Sequence, residues 1–537
     1  MNLRLIGFFL LTIVFQSANA QFEFLPLSNE SENTYNHQLF SKSTDFHSSV
    51  KPYRRSEVNE ITNRDSIIKD KYYQGKFYNT WLGGAVFNED VLKVRTTDFD
   101  LSINPIFNFN GGMEINSDAG NTYVNTRGLF IEGRIGEEVT FFTSFTENQA
   151  RYAGYVNSFI EDSKVVPGQG FARDFKEDAY DFSNAYGMVS FTPNKFFNFS
   201  LGQGKQFFGE GYRSLFVGDG AFNYPFFKIE TTVWKIKYVN LWTQQRDIRK
   251  PLEVNQAFRK KWTSMHYLSW NVNSRLNINL FESVIYGADS NNVGLEASFL
   301  NPIILYRPIE FSNGSDAANV IIGIGSSYKL FNDFQVYGQF SLDEFVKAEI
   351  FTQPGSWRNK FSAQLGFKYF NAFKVDRLFL QAEYNSVRPY MYSHDKALTN
   401  HGHYGQPMAH TWGGNFNEFV LRSNYSIKRW VVEFQLNFGI VGNDTSGSNW
   451  GKDIYQSYNN REMDDNNKIG QGVTTNIVVV DAKLAYIVNP SYNLRVEAGV
   501  TARQFNPEVN VGSLKEDNTL WFHFGLRTAL FNNYYDF

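Results

Sequence analysis

The chain has 537 residues, no cysteine, 17% aromatic and 20% charged residues and a formal net charge of −3, with a mean hydropathy of −0.38. The missing cysteine excludes a disulfide framework, a thiolate metal centre and thiol catalysis. The near-neutral balance leaves no global field to recruit nucleic acid. A polar average that still carries 53 Phe, 30 Tyr and 10 Trp must place much ring surface somewhere.

Met1 to Arg4 is short and basic, Leu5 to Phe15 is apolar, and Ser17-Ala18-Asn19-Ala20 supplies small residues before Gln21. This is the pattern of a secretory signal peptide over residues 1–20, too short to span a membrane. Residues 21–100 read as a periplasmic N-terminal extension, partly helical and aromatic-poor at first. Its charged run (Arg54, Arg55, Glu57, Glu60, Lys69, Asp70, Lys71) reads as a solvated face.

Beyond residue 20 no run approaches 18 apolar residues, and the recurrent signal is alternation. Trp430, Val432, Phe434, Leu436 and Phe438 share one face, against Val431, Glu433, Gln435 and Asn437. Leu494, Val496, Ala498 and Val500 oppose Arg495, Glu497, Gly499 and Thr501. Phe361 to Tyr369 and Phe334 to Asp343 repeat the pattern. Successive side chains of a strand point to opposite faces, so each run gives one apolar and one wet side. Runs of 9–13 residues exceed the usual strand of about 5–6 and match the ~9–11 of a tilted membrane-crossing strand.

The connections fall into two classes. Gly136-Glu137-Glu138, Thr192 to Lys195, Lys428-Arg429 and Asn489 to Asn493 are short, whereas 148–182, 244–261, 344–358, 387–415 and 442–474 are long. Short turns at one rim and long loops at the other are the build of an outer-membrane barrel. The alternating runs from residue 101 onward number roughly 16–18, and 18 if residues 101–116 supply the first. The fold class is therefore all-β: a transmembrane antiparallel barrel after the N-terminal extension, with outer-membrane lipid around it. The last run places Leu520, Phe522, Phe524, Leu526 and Leu530 on one face. Phe537, with Tyr534 and Tyr535 before it, resembles the aromatic terminal signal read by barrel-assembly machinery.

Several segments are similar to the RemB-type gliding-motility proteins of Bacteroidetes, within the Wzi-like family of capsule-assembly outer-membrane barrels. They are residues 46–58, 98–109, 300–315, 356–374, 387–419 and, most specifically, the aromatic block LGQGKQFFGEGYRSLFVGDGAFNYPFFKIETTVWKIKY at 201–238. The resemblance implies a barrel of about 18 strands with a small periplasmic part. It also implies a role in holding surface or capsular polysaccharide, in gliding over surfaces, or both, with gliding or secretion machinery as possible protein partners.

Glycan sites combine flat rings with planar or charged hydrogen-bonding groups. Lys205, Gln206, Phe207, Tyr212 and Arg213, with Arg388, Tyr390 and Trp412 around the 387–415 loop, are the candidates for such a site. The competing reading is a Gly-rich segment whose rings fill the lumen. His394, His401, His403 and His410 crowd one loop with spacing that permits a metal, but without H-E-x-x-H or helical register; hydrogen-bonded histidines are the simpler expectation, and no cofactor is called for. Arg307 and Glu310 read as an internal pair. There is no G-x-S-x-G elbow and no cluster of acids beside one segment, which argues against an enzyme. A diffusion pore or nutrient transporter is the alternative to a closed glycan-binding barrel.

Overall fold

The computed structural model describes residues 22–72, 75–115, 120–176, 178–249, 257–287, 294–305 and 318–537. The expected leader and the Arg307–Glu310 pair lie outside these. Eighteen antiparallel strands close one barrel. In chain order they are β1 Phe99–Glu114, β2 Asn121–Ile135, β3 Val139–Arg151, β4 Ala179–Asn194, β5 Phe197–Gly204 and β6 Tyr224–Val233. Next come β7 Ile236–Asp247, β8 Arg259–Asn271, β9 Leu276–Tyr286, β10 Ala318–Lys329, β11 Phe334–Glu344 and β12 Lys360–Tyr369. The last six are β13 Leu378–Val387, β14 Phe416–Ile427, β15 Trp430–Asn443, β16 Val473–Asn489, β17 Leu494–Pro507 and β18 Asp517–Thr528. Sequence neighbours pair throughout, and β18 returns to β1 from Trp521↔Glu114 to Arg527↔Asn108. Closure is what lets strands sit in hydrocarbon, because their backbone groups bond to one another.

Alternation sets the register. Leu365 of β12 is 68% exposed and Phe524 of β18 is 63% exposed, while Ser362, Gln364 and Lys368 are buried toward the lumen. A one-residue slip would turn every apolar side chain inward. One rim carries the turns 136–138, 195–196, 234–235 and 428–429; the other carries the connections 152–178, 205–223, 388–415 and 444–472.

One expectation holds only in part and another is overturned. The charged run is a solvated face only in part: Glu60, Lys69 and Asp70 are exposed, whereas Lys51, Arg54, Arg55 and Lys71 are buried. Arg55 faces Glu132 of β2 at 3.6 Å, Lys237 of β7 reaches Glu57 at 2.6 Å, and Lys71 donates to Ser426 of β14 at 3.2 Å. Residues 22–72 thus cap the short-turn mouth, and their charges serve the polar inner wall. Nor does Phe537 end the last strand. Pairing stops at Thr528, Leu530 is buried rather than outward, and 529–537 folds back up the lumen. Alternation cannot mark that exit, because Leu530 keeps the period of the strand before it.

The outward face gives a direct test. Phe524→Arg puts a cation in the apolar belt and should destabilise the barrel by about 2–4 kcal/mol, measured by urea titration in lipid vesicles. Phe524→Leu should stay close to the parent.

Candidate functional site

β5 and β6 are short, with 8 and 10 residues, against 16 in β4. The 205–223 connection therefore turns inward from the long-loop side and crosses the lumen. Its entry is stitched to the N-terminal segment, where Val50 and Lys51 pair with Phe208 and Phe207. Its tip docks on the opposite wall. The backbone N–H groups of Tyr212 and Arg213 donate to Glu383 of β13 at 2.8 and 3.1 Å. Leu215 N–H donates to Gln339 of β11 at 2.8 Å, and Gln364 of β12 donates to the Arg213 carbonyl at 3.0 Å.

Arg213 is the pivot. Its guanidinium lies 3.0 Å from Glu418 of β14 and 3.0 Å from Asp536 of the tail. Glu418 also accepts from Asn437 at 2.9 Å, Asn385 at 3.1 Å and the His410 ring at 2.6 Å. Asp536 accepts from the Tyr212 hydroxyl at 2.7 Å and Gln435 of β15 at 2.6 Å. Burial alone would lower the Arg213 guanidinium, but Asp536 and Glu418 beside it hold it well above its ordinary value. A buried ion group needs hydrogen bonds beyond the ion pair itself, and here hairpin, wall and tail all contribute, although Arg213 Nη1 is left without a hydrogen-bond partner.

The tail is a strap along the lumen. Asn532 N–H donates to Leu27 O at 3.1 Å, and the Tyr534 hydroxyl donates to Asp219 at 2.7 Å. At the far end the Tyr155 hydroxyl donates to Tyr535 O at 2.7 Å and Arg503 of β17 to Phe537 O at 2.7 Å. The Phe537 ring packs on Phe159 at 4.9 Å between centroids, in the helix Gly154–Ser163. A chamber of ≈ 170 Å³ remains beside the strap, lined by Arg422, Glu433, Asp481, Lys483, Trp521 and Arg527.

Of the sequence candidates, Tyr212, Arg213 and Trp412 converge on Asp536, and the others are spread through the same packing. Lys205 donates to the carbonyls of Gly168 and Asp219 at 2.8 and 2.9 Å, and burial, offset by Asp219, lowers it to about 8. Gln206 accepts from Lys228 at 3.1 Å, and Lys51 sits over the Phe207 ring at 5.3 Å. Trp412 Nε1 donates to Asp536 O at 3.1 Å. Tyr390 donates to Asn449 O at 2.9 Å, and Arg388 lies against the Phe361 ring at 5.3 Å. These eight side chains are engaged with protein.

The four loop histidines diverge. His394 meets Thr399 at 2.7 Å, His401 the Phe216 carbonyl at 2.8 Å, His403 the Asn223 carbonyl at 3.2 Å, and His410 faces Glu418. Among the described residues, no His, Asp and Glu side chains gather as a metal-ligand set. Burial, opposed by the bond to the Phe216 carbonyl and helped by the nearby Lys261, lowers His401 to about 4; burial likewise lowers His403 to about 3.

Open, glycan-like chemistry lies elsewhere. On the long-loop side, where β5 stops short, a cleft of ≈ 550 Å³ is lined by Arg127, Glu147, Arg173, Asp181, Phe222 and Tyr404. Arg127, Glu147, Arg173 and Asp181 are exposed. Sequence reading missed it because its residues are scattered over β2–β4 and three connections. A signal was present: the outward face turns polar in the last rungs, at Asn125 and Arg127, Glu147 and Gln149, and Asp181 and Ser183.

No family model and no curated protein sequence matches the chain. Among solved structures it is similar to Wzi of Escherichia coli, an outer-membrane carbohydrate-binding β-barrel involved in group 1 capsule assembly. Identity is 12%, 94% of this chain and 99% of Wzi are covered, and the TM-score is 0.55. The fold is shared with Wzi. The outer-membrane protein OprD of Pseudomonas aeruginosa follows at 11% identity, 82% and 96% coverage and a TM-score of 0.42. A BenF-like porin of Pseudomonas fluorescens stands at 9%, 82% and 98%, and 0.40. At those TM-scores the likeness carries no functional weight.

Arg213→Ala strands two buried carboxylates and should cost on the order of 3–5 kcal/mol, read as a lowered thermal midpoint, with Arg213→Lys between. The histidines predict a pH dependence. Unfolded chain binds protons from about pH 6.5, while the folded rings stay neutral until about pH 4 and 3. Stability should therefore fall as the pH drops from 6.5 toward 4, and the double variant His401→Asn, His403→Asn should flatten that fall in a melting series.

Proposed function

We propose that this chain is an outer-membrane barrel, closed to diffusion, that holds surface or capsular polysaccharide without catalysis. The short-turn rim would face the periplasm and the long loops the exterior. The observation that carries the reading is the combination of a filled lumen with an open polar and aromatic cleft on the long-loop side. Sugars need ring faces for their C–H surfaces and fixed charges or amides for hydroxyls and uronates; Phe222, Tyr404, Arg127 and Arg173 offer both kinds at the cleft. The fold shared with Wzi supports the same reading. The buried candidates, Lys205 to Arg213 with Arg388, Tyr390 and Trp412, would act behind the cleft by holding the hairpin and loops in place. The gliding role implied by the sequence resemblance rests on the quoted segments alone.

The test uses surface polysaccharide extracted from the parent cells, immobilised and titrated with detergent-purified protein. Arg127→Ala should weaken binding about 10-fold or more, as for a lost charge-assisted bond of about 1.5–3 kcal/mol. Tyr404→Ala should weaken it several-fold. Undiminished binding by both variants overturns the site. A deletion strain that keeps its capsule overturns the attachment role, and loss of colony spreading in that strain would instead favour motility.

A further inference from the structure

Outside the lumen, the segment from Phe77 to Arg95 has its apolarity inverted. The helix Trp81–Phe87 reads Trp-Leu-Gly-Gly-Ala-Val-Phe, with Thr80 capping Gly83 N–H. Its inner face is glycine: a Cβ on Gly83 would lie 2.0 Å from the Phe77 carbonyl oxygen, so only glycine permits this approach. The large residues are left outside, with Trp81 86%, Leu82 57% and Val86 48% exposed, and Phe77 and Val91 flank them at 54% and 62%. A helix on a water-facing surface does the opposite.

The strand Leu92–Arg95 joins this patch to the barrel. It pairs with β1 below the last rung of β18, Leu92 opposite Ile103 and Val94 opposite Leu101. Directly opposed residues share a sheet face. The intervening Asp100, Ser102 and Asn104 are buried toward the lumen, so Leu92 and Val94 stand on the outer, apolar side of β1. The helix is also pinned to the short-turn rim. Asn489 donates to the carbonyls of Val86 and Glu89 at 3.1 and 2.9 Å, Arg429 donates to Phe87 O at 3.3 Å, and the Tyr78 and Tyr486 hydroxyls meet at 3.1 Å.

We propose that residues 77–95 form a membrane-interface anchor. The Trp81–Phe87 helix lies along the short-turn-side leaflet, Trp81 sits near the headgroups, and Leu82 and Val86 enter the acyl boundary. Tryptophan favours that boundary, and a helix with a bare apolar face lies in it. Three observations select lipid as the occupant. The patch is continuous with the apolar belt of β1, the outward helix positions Trp81, Leu82, Ala85 and Val86 carry no charge, and the anchoring bonds fix the helix at rim height. The anchor joins the N-terminal cap to the barrel at the point where the chain leaves the lumen mouth and enters β1. The proposal rests on the reading that the strands cross a bilayer.

The chain has no cysteine, so single variants carry one spin label each. Trp81→Cys and Leu82→Cys are labelled in the full chain reconstituted in phosphatidylcholine–phosphatidylethanolamine vesicles. Leu365→Cys serves as the belt reference and Lys515→Cys as the aqueous reference. Collisional relaxation by oxygen should exceed that by a water-soluble nickel chelate several-fold at positions 81 and 82, as at 365. A ratio like that at 515, or low access to both reagents as under a protein cover, overturns the anchor. A water-like ratio at 365 itself would instead overturn the bilayer reading.

Discussion

Arg213 stands between Glu418 of the wall and Asp536 of the tail, near 3.0 Å from each, and the interior depends on that meeting. A closed barrel of eighteen strands is wide enough to leave an aqueous channel. This one brings three segments into that space: the N-terminal residues 22–72, the 205–223 hairpin and the 529–537 strap. The hairpin meets the strap through the group centred on Arg213 and through Asp219, which receives both Asn532 and Tyr534. The N-terminal segment meets the hairpin where Val50 and Lys51 pair with Phe208 and Phe207, and the strap where Leu27 O accepts from Asn532 N–H.

The wet inner wall dictates how the filling is held. Strand alternation leaves charged and amide side chains pointing inward, and a segment laid against them must satisfy those groups or suffer their desolvation. Hydrogen-bonded ion pairs are the result: Lys237 with Glu57 at 2.6 Å, Lys368 with Glu210 at 3.2 Å, and Arg527 with Glu497 at 2.8 Å and Glu30 at 3.0 Å. Rings then fill the space between, as where Phe208 stacks on Tyr267 at 4.8 Å. The aromatic load divides between this packing and the outer belt.

The barrel was legible because its signal is local. Period-2 runs such as Trp430 to Phe438 and Phe361 to Tyr369 specify face and register by themselves, and the contrast between Lys428-Arg429 and the 388–415 loop marks the two rims. The lumen contents were not legible, because charges at Arg54, Arg55 and Glu57 look the same in sequence whether they face water or a polar wall. The aromatic residues at 534–537 likewise look like a strand end until the tail is seen to turn back. The eight residues expected to bind glycan are engaged with protein inside the barrel. Composition alone does not tell a ring that stacks on sugar from one that packs a plug. The cleft stayed hidden because Arg173, Phe222 and Tyr404 come from three separate connections to join Arg127, Glu147 and Asp181 of the β2–β4 ladder.

The central claim is that these three segments close the barrel. Conductance of the purified full chain in a planar lipid bilayer tests it most directly. The account predicts insertion without a steady open level and, in a chain lacking residues 529–537, the appearance of one. A steady ohmic channel in the intact protein would contradict it.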